Sequence, residues 1–330
     1  MSAEISRRTM LKASTVAAAG LAVTAACGLM SPAASAAPAA ATSSGAATPP
    51  KGCRVGATVT PNAYPKGTTW EEAMANFNSD VGRDFEVAKR YFRGPKTWPT
   101  TAKDVGTIIK SLLDPATGQQ KCRGLLCFKP AVNGTDTTAL STALKAIKQA
   151  GITDAKVTLY QEQGLEEKLT AQQFQDVYAR YYDSVHPYYP LFVDFSGRAQ
   201  STWASYRPAA HYLDGYAVDL YAHSWAREKV GVEPIADWAD GAGQEFGIWE
   251  MGNQNATPDE VQAYFAYLTQ LQQGRLQAGQ LVGDMAWFNG PQQHNFNEIS
   301  GTDLCALYVQ DRKLLRTFFD AFNGVQTPTS

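Results

Sequence analysis

Apolar residues along this chain collect into short runs that recur at a steady interval, separated by stretches patterned as helices. Runs at Val55–Val59, Val87–Phe92, Arg123–Phe128, Lys156–Glu162, Pro190–Phe195, Asp214–Tyr221, Phe246–Met251 and Val282–Phe288 read as strands, starting roughly 24 to 36 residues apart. That spacing fits a strand, a loop and a crossover helix. Several runs, such as Arg123-Gly124-Leu125-Leu126-Cys127-Phe128, are apolar at successive positions, as parallel strands covered on both faces are. Thr170-Ala171-Gln172-Gln173 is a capping box that opens a helix to about His186, and Thr257-Pro258-Asp259-Glu260 opens another. A third helix runs from Asp136 to Ala150, with Leu140, Leu144 and Ile147 on one stripe and Gly151 as its stop. Asp303 to Phe322 reads as the last. Eight strand–helix units predict the α/β class and a single-domain (β/α)8 TIM barrel. An open doubly wound sheet would carry a glycine-rich phosphate turn after its first strand, and Ala57-Thr58-Val59-Thr60-Pro61 is not one.

The pattern begins only after residue 52. Ser6-Arg7-Arg8-Thr9-Met10-Leu11-Lys12 matches the twin-arginine export motif, and a weakly apolar Ala/Gly stretch follows from Ala13 to Ala26. That stretch is too short and small-chained for a permanent membrane span. Ala34-Ser35-Ala36 offers a cleavage site, so residues 1–36 are read as a twin-arginine signal peptide. Thr24-Ala25-Ala26-Cys27 loosely resembles a lipoprotein box, which leaves lipidation of Cys27 open. Residues 37–52, rich in Ala, Thr, Ser, Gly and Pro, form a flexible linker, and 53–330 the barrel. The expected location is extracellular, with no membrane attachment after cleavage.

Composition narrows the partners. A net charge of −2 argues against nucleic acid. Charged residues are 18% of the chain while aromatics reach 11%, a balance suited to a secreted monomer that handles neutral ligands. Export permits disulfides among Cys53, Cys122, Cys127 and Cys305, with three connectivities open. Cys53 and Cys122 each precede a strand and are placed together at the bottom of the barrel. Neither the Cys spacing nor the four scattered His form a metal-site pattern, so no metal or other cofactor is expected.

Barrel enzymes carry their reacting groups at the C-terminal ends of the strands. Two carboxylates end apolar runs there, Glu162 on the fourth strand and Glu250 on the seventh. Facing each other across the mouth, such a pair can act as acid and nucleophile on a glycosidic bond. Tyr160, Gln161, Tyr221, His223, Trp225, Trp287 and Asn289 stand at strand ends or in the loop after the sixth strand, where aromatic faces and amides suit a sugar. Glu245 starts its strand and should point to the opposite end. Glu166 and Glu167 read as solvated loop residues, Asp219 as a hydrogen-bonded group inside the barrel, and Trp70 and Trp238 as helix packing. Lys129 and Arg93 are assigned to rim salt bridges or substrate contacts.

Four segments carry a family resemblance: Thr158-Leu159-Tyr160-Gln161-Glu162, Val218-Asp219-Leu220-Tyr221, Ile248-Trp249-Glu250-Met251-Gly252 and Ala286-Trp287-Phe288-Asn289. The chain resembles the clan A glycoside hydrolases and, within them, the family 26-like glycosidases, the β-mannanases and their relatives. The resemblance implies Glu162 as general acid/base, Glu250 as nucleophile, Tyr221 as the residue orienting it and Trp287 as the floor of the sugar site. Gln161 stands where that family has Asn or His. The implied activity is retaining hydrolysis of a β-linked polysaccharide or oligosaccharide of the mannan, xylan or β-glucan class. The alternative is a non-catalytic carbohydrate-binding barrel, which has no need of both Glu. A metal-dependent hydrolase would need a His/Asp cluster that the sequence lacks.

Export should depend on the arginine pair. Replacing Arg7 and Arg8 together with Lys should abolish secretion of folded protein, read by immunoblotting of medium against cells. Unchanged secretion of the double variant would overturn the assignment.

Overall fold

The computed structural model describes residues 54–289 except 60–66, 82–83, 85, 93, 135–136, 166, 223–224, 254–266, 269, 273 and 276. Residues 55, 80–81, 108, 198, 221–222, 225–231, 251–253 and 286–289 are described by backbone alone. The export segment, the linker, Cys53, Arg93, Glu166, His223, the Thr257 capping box, the 303–322 helix and Cys305 lie outside the described residues.

The strands are β1 (Val55–Val59), β2 (Val87–Phe92), β3 (Arg123–Phe128), β4 (Ala155–Leu159), β5 (Leu191–Ser196), β6 (Gly215–Ala222), β7 (Glu245–Asn253) and β8 (Val282–Asn289). Each pairs in parallel with the next and β8 returns to β1, closing the barrel that the apolar spacing predicts. The described helices are α1 (Trp70–Val81), α2 (Thr107–Lys110), α3 (Thr138–Gln149), α4 (Ala171–Val185), α5 (Trp203–Tyr206) and α6 (Trp225–Ala242). The α4 capping box forms as expected: Thr170 Oγ1 accepts the Gln173 N–H at 3.2 Å, and Gln173 Oε1 accepts the Thr170 N–H at 2.9 Å. Gly151 ends the α3 segment at φ +102, where a Cβ would be strained. The expectation of a full helix in every crossover fails after β2 and β5. Here α2 and α5 have four residues each, and turns carry the chain back.

Strand β4 is shorter than its apolar run suggests. It ends at Leu159 because Tyr160 adopts φ +60 and turns the chain. Its ladder to β5 has only two paired positions, Val157 with Leu191 and Thr158 with Phe192. Tyr178 of α4 bridges the gap beyond them. Its hydroxyl accepts the Leu159 N–H at 3.2 Å and donates to the Phe192 carbonyl at 3.0 Å.

The interior is stacked in layers. At the N-terminal end lies an ionic floor. Lys156 Nζ sits 2.6 Å from Asp284 and 3.1 Å from Glu245. Arg123 reaches Asp284 at 3.1 Å and Asp154 at 2.7 Å, and Arg54 also pairs with Asp154. Glu245 thus points to the bottom, as expected from its place at the start of β7. The middle layer is an apolar plug of Val87, Leu125, Phe192, Ala217 and Trp249. The Phe192 and Trp249 rings stack with centroids 5.1 Å apart. Glycine makes room for both. A Cβ on Gly215 would lie 2.2 Å from Phe192, and one on Gly247 would lie 2.9 Å from Trp249 Nε1. Above the plug the interior becomes polar again.

The expectation of disulfides is corrected for two of the four cysteines. Cys122 and Cys127 are buried free thiols. Cys127 faces the barrel interior and Cys122 packs into the surrounding core, so each is enclosed where no other described cysteine reaches it. Burial raises Cys122 to about 11 and Cys127 to about 12, so both are neutral at physiological pH.

The floor yields a stability prediction. Burial by itself raises the Asp284 pKa, but Lys156 and Arg123 outweigh it and hold the carboxyl below its ordinary value. A lowered pKa contributes stability that is present above the unfolded value of about 3.9 and lost as pH falls through the folded value. Asp284→Asn should therefore lower the unfolding free energy at pH 7 by about 3–5 kcal/mol, because it strands buried cations. The gap to the parent should narrow below about pH 4. Equal denaturant midpoints for parent and variant at pH 7 would contradict this account.

Candidate active site at the barrel mouth

The polar layer above the plug is organised by one lysine. Lys89 stands in the middle of β2, in a strand covered on both faces, and its side chain is fully buried. Nζ lies 2.8 Å from Asp194 Oδ2 on β5, 2.9 and 3.0 Å from the two oxygens of Asp219 on β6, and 3.3 Å from Glu250 Oε1 on β7. Asp194 and Asp219 are fully buried and Glu250 is 3% exposed. Burial pulls the ammonium toward the neutral amine, but the three carboxylates outweigh it and hold the Lys89 pKa well above the ordinary value. Lys89 is therefore a fixed cation and offers no free amine for nucleophilic chemistry.

One ammonium faces three buried carboxylates, and Asp219 is the one whose titration is displaced. Burial first, and the Asp194 charge second, push its pKa well above the usual carboxylate range, and Glu162 adds to the effect. The expected position of Asp219, hydrogen-bonded inside the barrel, is what the structure shows.

Glu250 owes its direction to a break in strand register. Val218 pairs with Ile248, but Asp219 pairs with Glu250, so Trp249 is an extra residue on β7. Strict alternation would turn Glu250 outward, since Trp249 already points into the plug. The bulge returns Glu250 to the interior one layer higher, beside Lys89.

Glu162 is positioned by strain. Tyr160 (φ +60), Glu162 (φ +51) and Gln163 (φ +45) all take left-handed conformations that side chains other than glycine rarely adopt. The turn is pinned on both sides. The Tyr160 hydroxyl donates to the Pro130 carbonyl. Gln163 is fully buried; its Oε1 accepts the Ser196 N–H at 2.8 Å and its Nε2 donates to Thr202 Oγ1 at 3.1 Å. Ser196 Oγ in turn donates to Glu162 Oε1 at 3.1 Å, and Trp203 Nε1 holds the Ser196 carbonyl at 2.7 Å. Ser196 stands opposite Asp219 in register, and Asp219 opposite Glu250. Glu162 and Glu250 thus meet at the same end of the barrel, with Asp219 between them. Half-buried Glu162 and almost buried Glu250 sit at different depths.

The other expected site residues divide. Tyr160 is corrected: it is 2% exposed and belongs to the core, because its bond to Pro130 draws the ring beneath the turn and leaves no face for a ligand. Gln161 is half-buried beside Glu162, and its Oε1 has no hydrogen-bond partner among the described residues. The backbone places Tyr221 opposite Gly252, Trp287 opposite Ala57 and Met251, and Asn289 opposite Val59, towards the C-terminal ends of their strands. Trp225 is the first residue of α6 rather than part of the preceding loop. Glu167 is not solvated; it is partly buried and pairs with Lys129, which settles Lys129 as a rim ion pair. Trp70 lies 5.0 Å from the buried Arg90 guanidinium and Trp238 packs on the core, in keeping with helix roles for both. Lys89, Asp194, Ser196 and Gln163 are the site residues that the motif reading passes over. For Lys89 a signal existed: adjacent basic residues inside a strand that must be buried on both sides need partners indoors.

No family model matches the sequence, and no curated protein matches it. Solved structures do share its fold. A GH26 β-mannanase from Bacteroides ovatus aligns with TM-score 0.56 at 9% identity, over 85% of this chain and 91% of that one. An engineered protein aligns with TM-score 0.54 at 10% identity, over 84% of this chain and 71% of that one. A Bacillus subtilis mannanase aligns with TM-score 0.49 at 10% identity, over 73% of this chain and 81% of that one. The expected (β/α)8 fold is the one shared with the B. ovatus β-mannanase and the engineered protein.

The strained turn can be tested directly. Gln163→Ala removes both clamps and leaves the Ser196 N–H without its partner. It should cost about 1–3 kcal/mol in denaturant unfolding. Full retention of stability would mean that Gln163 does not hold the turn.

Proposed function

We propose that this chain is an exported retaining glycoside hydrolase that cleaves a β-linked polysaccharide of the mannan, xylan or β-glucan class. The observation that carries the reading is the convergence of Glu162 and Glu250 on one barrel mouth, each by a costly device: three left-handed residues for one, a bulge for the other. Strain of this kind persists where the surrounding structure over-determines it, and it concentrates at functional sites.

In this reaction Glu250 attacks the anomeric carbon as a carboxylate while Glu162, protonated, gives its proton to the leaving glycosidic oxygen. The C–O bond to the leaving group breaks as the glycosyl ester forms. Water then attacks the same carbon, Glu162 takes its proton, and Glu250 is released with configuration retained. The chemistry requires the two carboxylates about 5 to 5.5 Å apart; about 6.5 to 9.5 Å would leave room for a water and invert the product. The half-burial of Glu162 suits a group that must exchange protons with solvent, and the dry setting of Glu250 strengthens its field on a developing positive charge. The B. ovatus likeness supports the architecture, and the mannan class enters from it and from the motif resemblance. The second reading is a carbohydrate-binding barrel without turnover, built on the same mouth.

The test is a screen on mannan, xylan and mixed β-glucans with analysis of product length and anomeric configuration. Wild type should release β-configured products, and Glu250→Ala should lose turnover by a factor of at least about 10³. Azide should restore part of the rate to Glu250→Ala with inverted product. Binding without hydrolysis by wild type would select the second reading.

A further inference from the structure

The two ionic networks of the barrel differ in charge balance. The floor sets three cations, Arg54, Arg123 and Lys156, against three anions, Asp154, Glu245 and Asp284. At the mouth, among the described contacts, Lys89 faces Asp194, Asp219 and Glu250, with Glu162 close enough to act on Asp219. A network that served only the fold would be balanced, or replaced by apolar groups of similar volume at no loss. Among the described contacts the mouth instead gathers three carboxylates around one immobilised ammonium.

The contacts of that ammonium are unequal. It is shortest to Asp194 and Asp219, which hold it on two sides, and longest to Glu250 at 3.3 Å. Among the described residues, Tyr91 on β2 puts its ring centroid 5.5 Å from the ammonium, and Cys127 on β3 is a neutral thiol. The carboxylates on β5, β6 and β7 are its described charged neighbours. The aspartates therefore act on the ammonium, and the ammonium acts on Glu250.

We propose that Lys89 is a positioning residue for the reaction, a counter-charge fixed by Asp194 and Asp219 that keeps Glu250 ionised and oriented toward the sugar. The inference rests on the reading of Glu250 as nucleophile. Its logic follows the charge through the cycle. In the resting state the ammonium favours the Glu250 carboxylate over the carboxylic acid, which cannot attack. When the glycosyl ester forms, Glu250 becomes neutral, and the ammonium remains matched by the aspartates instead of being left alone in a dry site. The long contact to Glu250 suits a partner whose charge comes and goes.

The experiment compares four proteins on the substrate identified by the screen: wild type, Lys89→Met, Asp194→Asn/Asp219→Asn, and the triple variant combining all three changes. Lys89→Met alone leaves three uncompensated carboxylates and is the variant at risk of not folding; the triple variant removes that excess and keeps the shapes. Each is checked by thermal unfolding, then measured for kcat and KM across pH. The acid limb of kcat/KM reports ionisation of the nucleophile in the free enzyme. Relative to the double variant, the triple variant should have this limb displaced upward by about 1–3 pH units, since an opposite charge at such range lowers a carboxyl pKa by that much. Its kcat at the pH optimum should fall by a factor of about 10² or more, with KM changed severalfold at most. Lys89→Arg should restore the limb while recovering only part of kcat, because the charge returns on a longer, planar group. A folded triple variant with an unmoved acid limb overturns the proposal. If Glu250→Ala keeps the wild-type rate, the nucleophile assignment fails first and the Lys89 role with it; loss of rate in Glu250→Ala together with an unmoved limb sinks the Lys89 role alone.

Discussion

The fully buried Lys89 ammonium, held above the aromatic plug, is the interaction on which the mouth of this protein depends. A closed parallel sheet covers both faces of every strand, so a charge placed mid-strand must find its partners inside. Three strands on the far side of the barrel supply them, one carboxylate each, from β5, β6 and β7. That arrangement ties β2 across the lumen to strands it does not border. It also brings three carboxylates together in a buried setting, where Asp219 is held well above the usual carboxylate range by burial and by Asp194.

The layers beneath make this cluster possible. The Phe192–Trp249 stack, fitted over Gly215 and Gly247, seals the lumen and separates the mouth from the floor. Among the described contacts the floor pairs three cations with three anions, while the mouth sets three carboxylates around Lys89. The plug also explains the bulge. Trp249 is consumed as plug, and only an extra residue on β7 allows the next position, Glu250, to face inward as well.

On the opposite wall the β4–β5 ladder stops early, and the opening is filled by side chains rather than backbone. Tyr178 bridges the lower part, and Gln163 takes the Ser196 N–H above it. The same gap makes room for the left-handed turn that carries Glu162. A short ladder is thus the local condition for the position of Glu162. The fold is shared with the B. ovatus β-mannanase, while the lysine-centred cluster is read from this chain's own contacts.

The sequence by itself determined the barrel. Eight apolar runs at crossover spacing admit few other closed arrangements, and the bounds of β1, β2 and β3 coincide with their runs because strand burial is written in local hydrophobicity. It also determined that Glu162 and Glu250 lie at the C-terminal end and Glu245 at the other, since strand direction alone decides that. What it could not carry was side-chain direction. Tyr160 stands one residue past a strand end and looks like a ligand platform, yet a positive φ and a bond to Pro130 put it in the core. Glu250 faces the lumen only through a bulge without a sequence signature, and Lys89 meets its partners only once strands about 100 or more residues apart close around it. Register and closure are properties of the assembled sheet, in which each strand is fixed by neighbours distant in the chain, and so tertiary structure alone decided which charges share the mouth.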